Sequence, residues 1–310
     1  MMNEVNLPLV SVGVYTYNSS KTVIETLESI KSQTYPNLEL IVSDDCSTDN
    51  TVSLCQDWLE HNKDRFVDTK IIVPDKNTGQ SGNYNRALKA SNGEWIKDID
   101  GDDLLTPNCI EDYIEFVKSN PEAIFVFGRT EVFGPIPRIV EKYQRIFDYD
   151  FFKLSIEDKY KRLITRGNCI ASPSAFSNAR KRKELDLWYD ERIPLLEDLP
   201  MWVNATKRGF DLFFLDKIVC LYRVGGNGIT SGNEKKSDIY MIGVMKYELY
   251  YLLNIDDEYH NNFDDIVTKI AEREWNMIKE QIDKYENSKE YKLGSFLCKF
   301  YRRIRNIIRW

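Results

Sequence analysis

Between Leu9 and Ile99, short apolar runs alternate with stretches whose apolar residues recur at helical spacing, and this alternation leaves few folds open. Residues 9–15 read as a buried strand, and 22–32 as a helix with Val23, Ile24, Leu27 and Ile30 on one face. A second strand at 38–43 and helix at 51–61 follow, then a strand at 70–73, a helix at 81–90 and a fourth strand at 94–99. Strands separated by helices of about three turns predict an α/β fold with a mainly parallel sheet flanked by helices, in which ligands bind outside the carboxyl ends of the strands.

Polar clusters fall at those ends. Thr16-Tyr17-Asn18 closes the first strand, Asp44 to Asp49 the second, and Asp100-Gly101-Asp102-Asp103 the fourth. In the last cluster Asp98, Asp100, Asp102 and Asp103 crowd four carboxylates together, and such charges repel wherever water is partly excluded. A divalent cation would neutralise them. Gly101 would let the chain turn so that Asp100 and Asp102 converge on one ion, and hard oxygen ligands suit Mg²⁺ or Mn²⁺. A solvated acidic turn with no ligand is the plainer alternative.

Past Pro107 the pattern weakens to a helix at 109–119, a strand at 123–127 and an irregular Gly/Pro stretch at 134–137. Residues 136–195 mix short helical pieces with loops, as a substrate-recognition insertion would. Glu197-Asp198 then open a helix to about Lys207 with Gly209 beyond its end. Residues 211–222 read as a strand pair or one long bent strand, 223–232 as a Gly-rich loop, and the chain from Asp238 as mainly helical.

A net charge of −7 argues against a nucleic-acid partner, since phosphate needs basic surface. Six cysteines without a C-x-x-C pair and only two histidines disfavour a zinc site. With no signal-like segment and no run of 18 apolar residues, the expected location is the cytoplasm, without a membrane span.

Over about residues 8–232 the chain resembles the inverting glycosyltransferase family 2, with the GT-A fold. The likeness rests on the first-strand run ending Thr16-Tyr17-Asn18, on Ser29 to Pro36, and on Glu39 to Asp49. It continues through Asn77-Thr78-Gly79, Asn85-Arg86-Ala87, Gly93 to Ile96, Asp100 to Asp103, Glu197-Asp198 and Leu221-Tyr222-Arg223, in matching order and spacing. The chain departs where many relatives carry a His shortly after the Tyr-Arg pair, for here it reads Val224 to Ile229.

The resemblance implies a metal-dependent inverting transfer from a UDP-sugar to a hydroxyl of a glycan or lipid-linked saccharide, in bacterial capsule or O-antigen synthesis. Asp45 is then the acceptor for the uracil ring N–H, unless it merely caps the turn at Ser47-Thr48-Asp49, and Asp44 reads mainly as the structural partner of that turn. Thr16, Tyr17 and Asn18 would lie at the base and ribose, and Asn77 and Gly79 beside the donor. Arg86 would contact the diphosphate or pair with an acid such as Asp100, and Arg223 would serve the diphosphate. Asp100 and Asp102 would hold the ribose and the metal, Mn²⁺ or Mg²⁺, with Asp103 capping the turn before Pro107 and Asp98 facing away. Asp198, at a helix start, is the expected base that deprotonates the acceptor, and Glu197 would orient it or bind acceptor. Trp188 and Trp202 are either sugar-stacking or core residues. A non-catalytic nucleotide-sugar-binding or scaffold protein of the same fold is the alternative function. A G-x-G-x-x-G oxidoreductase is disfavoured by the turn at Thr16 to Asn18.

The expected division is a glycosyltransferase domain at 1–235, with a nucleotide-sugar half at 8–107 and an acceptor half at 108–235, followed by a helical region at 236–310. In residues 295–310, Lys299, Arg302, Arg303, Arg305 and Arg309 accompany Phe296, Phe300, Ile304, Ile307 and Ile308 at helical spacing. This basic amphipathic tail would hold the protein peripherally on the anionic inner face of the cell membrane, or else pack on its own acidic surface or a second copy.

Overall fold

The computed structural model describes residues 7–193 and 196–225, with scattered residues between 243 and 279. Two compact units are present, Met1–Ile255 and Asp256–Trp310. In the second, the described residues lie between 268 and 279, are helical, and include buried Ile278. The expected boundary near 235, the loop beyond Gly225 and the basic tail lie outside the described residues.

In the first unit the elements run β1 (Val10–Thr16), α1 (Val23–Lys31), β2 (Leu38–Asp44), α2 (Thr51–Asn62), β3 (Asp68–Ile72), α3 (Gly79–Ala90) and β4 (Trp95–Asp100). There follow β5 (Leu104–Leu105), α4 (Cys109–Ser119), β6 (Phe125–Phe133), α5 (Pro137–Gln144), α6 (Ile156–Arg166), β7 (Phe176–Asn178), α7 (Ala179–Glu184), α8 (Asp198–Lys207) and β8 (Leu212–Arg223). One eight-stranded sheet joins them in the order β3-β2-β1-β4-β7-β6-β8-β5. β3, β2, β1 and β4 are parallel, as are β6 and β8, whereas β7 runs antiparallel to both its neighbours and β5 antiparallel to β8.

Every residue of β1 and β2 is buried, the polar Ser11, Glu39, Ser43 and Asp44 included, as strands covered on both faces require. Helix α1 turns Val23, Leu27 and Ile30 to the core, and β4 leads into a stack of Trp95 on Phe176 and Phe176 on Tyr113, with ring centres 5.0 and 4.7 Å apart.

The acceptor half differs more from the sequence reading. β6 runs on to Phe133, past the expected end at Phe127. Gly128 and Arg129 interrupt its apolar run, yet Thr130 and Val132 alternate into the interior and the pairing with β8 continues across two register shifts. The Gly/Pro stretch delivers a helix, α5, because Pro137 sits in its first turn, where the missing N–H costs nothing. Residues 212–223 form one long strand.

Candidate active site

The acidic cluster lies where β4 ends and β5 begins, at the carboxyl edge of the parallel strands. The Gly101 N–H donates to the Tyr15 carbonyl at 2.8 Å, drawing the turn against the end of β1. A Cβ at Gly101 would sit 2.8 Å from Thr16 Cγ2 and 3.2 Å from Tyr15 O. The glycine is thus demanded by close approach; positive φ occurs at Gly79, Gly167, Gly209 and Gly225, and not here.

The Asp100 carboxylate accepts from the Tyr84 hydroxyl at 2.7 Å, and burial together with the Asp102 charge pushes it up to about 7. Asp103 does not cap the turn before Pro107. It is fully buried, one oxygen accepting the Arg223 N–H at 2.7 Å and the other lacking a partner, and burial followed by Asp102 and Asp100 drives its carboxyl well above the usual range. Asp98 turns away from this group, as expected, and accepts from Tyr15 and, at 3.5 Å, Tyr189, with the Arg182 guanidinium 3.7 Å away. The ammonium of buried Lys97 donates to the Asp98 carbonyl at 2.6 Å and the Pro173 carbonyl at 2.5 Å.

Among the described residues, no group of three or more His, Cys, Asp or Glu side chains is placed to hold a metal ion by itself. The oxygen donors of Asp100, its carboxyl raised by burial and by the Asp102 charge, and of Asp102 nonetheless fit a hard divalent cation that completes its shell with water and phosphate.

On the nucleotide side Asp44 caps the following turn, as its reading as a structural residue expects, accepting from the Ser47 N–H at 2.7 Å and hydroxyl at 2.6 Å, and from the Thr16 hydroxyl at 2.7 Å. Asp45 instead binds the loop before α3. Its Oδ1 accepts from the Thr78 N–H (2.9 Å), the Thr78 hydroxyl (2.7 Å) and Arg86 (3.3 Å), and its Oδ2 from the Gly79 N–H (2.8 Å). Asn77 completes the clasp by donating to the Asp45 carbonyl at 3.0 Å. Arg86 pairs with Asp45, not Asp100, and also donates to Ser43, Asn83 and Thr78. Asn18 adopts φ +54° and accepts from the Thr48 N–H at 2.9 Å, while Tyr17 stands 47% exposed beside it.

Across the site, Glu197 and Asp198 occupy the start of α8. Burial pushes the Asp198 carboxyl up to about 6, against the donors Leu199 N–H (2.6 Å) and Asn168. Glu197 is buried, and its carboxyl is driven well above normal by that burial, then by Asp198 and by Asp100. The helix start and the acidic turn therefore feel one another's charge. Arg223 braces the turn: its Nε donates to the Asp102 carbonyl at 2.7 Å, and its Nη2 to Glu25 at 2.5 Å, over the Phe133 ring. Trp202 is fully buried edge-on against Phe125 and Phe127, and Trp188 packs on Leu88, Ile96 and Ala179, so both belong to the interior.

Sequence reasoning missed Tyr84, which stacks on Tyr15 at 3.6 Å, and missed Arg182 and Asn168. Only Asn168 carried a local signal, a polar residue directly after the glycine that ends α6.

Comparison with known proteins identifies the family. The family model described as Glycosyl transferase family 2 matches residues 11–181. The chain is 30% identical over 242 residues to the Escherichia coli UDP-Glc:alpha-D-GlcNAc-diphosphoundecaprenol beta-1,3-glucosyltransferase WfaP, covering 77% of this chain and 86% of that one. It also resembles Staphylococcus aureus TarS 1–349 in complex with UDP-GlcNAc (TM-score 0.58, 20% identity, covering 81% and 77%), though it spans 42% of a longer TarS chain. The mannosyltransferase PcManGT of Pyrobaculum calidifontis, in complex with GDP-Man and Mn²⁺, is similar at TM-score 0.58 and 18% identity, covering 95% and 80%. The chain belongs to glycosyl transferase family 2, and is a glycosyltransferase built on the GT-A fold.

Proposed function

We propose that the protein transfers a sugar from a UDP-sugar, with inversion, to a hydroxyl of a lipid-linked or free saccharide in the assembly of a bacterial surface polysaccharide. The observation that carries this is the pairing of a carboxylate at the start of α8 with an acidic turn close enough to shift the ionisation of its neighbour Glu197. WfaP, whose name specifies UDP-glucose and a diphosphoundecaprenol-linked sugar, supports the donor and acceptor classes.

Asp198 takes the acceptor proton as the hydroxyl attacks in line. With its carboxyl pushed up to about 6, it is largely ionised at pH 7 yet basic enough to accept a proton. Asp100 and Asp102 would hold Mn²⁺ or Mg²⁺, which supplies positive charge to the departing diphosphate. Both oxygens of Asp45 already accept from the protein, so a uracil N–H would share one of them or displace Thr78 or Gly79. The Asp45 clasp thereby ties base recognition to the order of the loop at 77–79. Arg223 reaches the diphosphate only by leaving Glu25, and otherwise serves by fixing the acidic turn. The basic tail suits a peripheral position on an anionic membrane surface, where such an acceptor resides.

Thermal unfolding with a panel of nucleotide sugars, with and without Mn²⁺, identifies the donor. Asp198→Asn is expected to keep that donor's stabilisation while losing UDP release by at least about a hundredfold, the usual scale of general-base catalysis. Near wild-type turnover by Asp198→Asn would sink the assignment. A scaffold protein of this fold would release no UDP with either sequence.

A further inference from the structure

The geometry points to Asn168 as the residue that positions Asp198 and sustains its ionised form, an inference that rests on the reading of Asp198 as the base. The Asn168 side-chain N–H donates to Asp198 Oδ2. Its own carbonyl oxygen accepts the Ile170 N–H at 3.0 Å, so the amide cannot turn over without losing that bond, and its nitrogen end is committed to the carboxylate.

What delivers Asn168 is equally fixed. Gly167, at φ +77°, ends α6 by donating to the Leu163 carbonyl at 3.0 Å and sends the chain sharply toward α8. α6 is itself anchored by fully buried Leu163 and by Lys159, whose ammonium donates to Asp211 at 2.5 Å and to the Leu212 carbonyl at 3.0 Å. The Leu199 N–H meets Oδ1 and the Asn168 amide meets Oδ2, so each oxygen of Asp198 is held by a donor from the protein.

Burial opposes ionisation of Asp198, and the Asp198 charge in turn raises the neighbouring Glu197 carboxyl and the Tyr189 hydroxyl. Among the described residues, neutral donors stabilise the charge on Asp198: the Leu199 N–H, its own N–H and the Asn168 amide. Of these, Asn168 is the one contributed by a side chain from a different element. A hydrogen bond to the charged form lowers a carboxyl's proton affinity, and its removal raises it.

The test is a carbon-13 carboxyl NMR titration of the full-length protein, with the Asp198 signal assigned by its loss in Asp198→Asn. Asn168→Ala is expected to move the apparent titration of Asp198 upward by about one pH unit, and Asn168→Ser, which keeps a shorter donor, to move it less. The donor found by the thermal panel should stabilise all variants equally. UDP release by Asn168→Ala should fall about fivefold at pH 6 and recover towards the wild-type rate at pH 9, as the acid limb shifts. An unmoved titration in Asn168→Ala, or a loss of turnover equal at every pH, overturns the role of Asn168. Retention of turnover by Asp198→Asn overturns instead the reading of Asp198, whatever the titration shows.

Discussion

Arg182→Met tests the charge arrangement beneath the acidic turn. Arg182 is 1% exposed, and its guanidinium stands 3.7 Å from Asp98, which is 3% exposed as a side chain. In the wild type, burial pushes the Asp98 carboxyl up, and Arg182, Tyr15 and Lys97 pull it part of the way back. Methionine keeps the apolar volume against Phe125 and Tyr189 but removes the charge. Asp98 can then escape ionisation only by holding a proton, which costs about 1.4 kcal/mol for each pH unit above an unfolded value near 3.9. The share of the loss that comes from Asp98 is therefore capped at about 4 kcal/mol at pH 7 and about 1.5 kcal/mol at pH 5, and the donors lost to Leu187 O and Ser177 Oγ add a part that does not vary with pH. The sign follows from proton uptake: the folded variant holds a proton that the unfolded chain has released, so its stability falls as pH rises. Urea unfolding followed by tryptophan fluorescence, with Trp202 packed on Phe125 as a nearby reporter, reads the difference. Adding Asp98→Asn should restore most of the loss at pH 8. An equal loss at pH 5 and pH 8 would refute the reasoning, because Asp98 would then not be the group left uncompensated.

Gly101→Ala should cost about 1–3 kcal/mol, since the new methyl lands within 2.8 Å of Thr16 Cγ2, and should weaken donor binding; an unchanged melting temperature would count against the close approach. Asp45→Ala strands the Thr78 and Gly79 N–H groups and unpairs Arg86, so the melting temperature should fall and the donor KM rise together; a KM effect alone would mean that the clasp is not structural. Glu39 is fully buried, and although burial pushes its carboxyl up, donors from Lys70, Ser11 and Asn92 outweigh this and hold it below the usual range. Its contribution is present above about pH 4.3 and lost as pH falls, so Glu39→Gln should flatten the acid side of the stability profile, and an unaltered acid limb would exclude it.

The nucleotide half was legible because β1 and β2 are buried on both faces and α1 turns one apolar stripe inward at Val23, Leu27 and Ile30. The carboxyl-edge clusters were legible for the same reason: once strand ends are known, so is where Thr16, Asp45 and Asp100 must lie. Pairing was not legible. Whether Arg86 meets Asp45 or Asp100 depends on which side of α3 faces β2, a matter of fractions of a helical turn. Asn168 and Asp198 are brought together by the docking of α6 on α8, and nothing local to either residue records it. Asp103 looked like a surface turn residue because its burial comes from β8, more than a hundred residues onward.

The path of the chain between β6 and β7 has a further consequence. It leaves the sheet at Phe133 and re-enters at Phe176, beside Val126 of the strand it left, carrying α5, α6 and Asn168 on the way. An excursion that starts and ends on one strand can change length or content without altering the order of the strands around it, and doubling a loop costs only about 0.6 kcal/mol in closure entropy. The acidic turn and the start of α8 lie outside that excursion. The segment that carries Asn168 can thus vary in length or content without displacing the strands that bear the acidic turn or the helix that begins at Asp198.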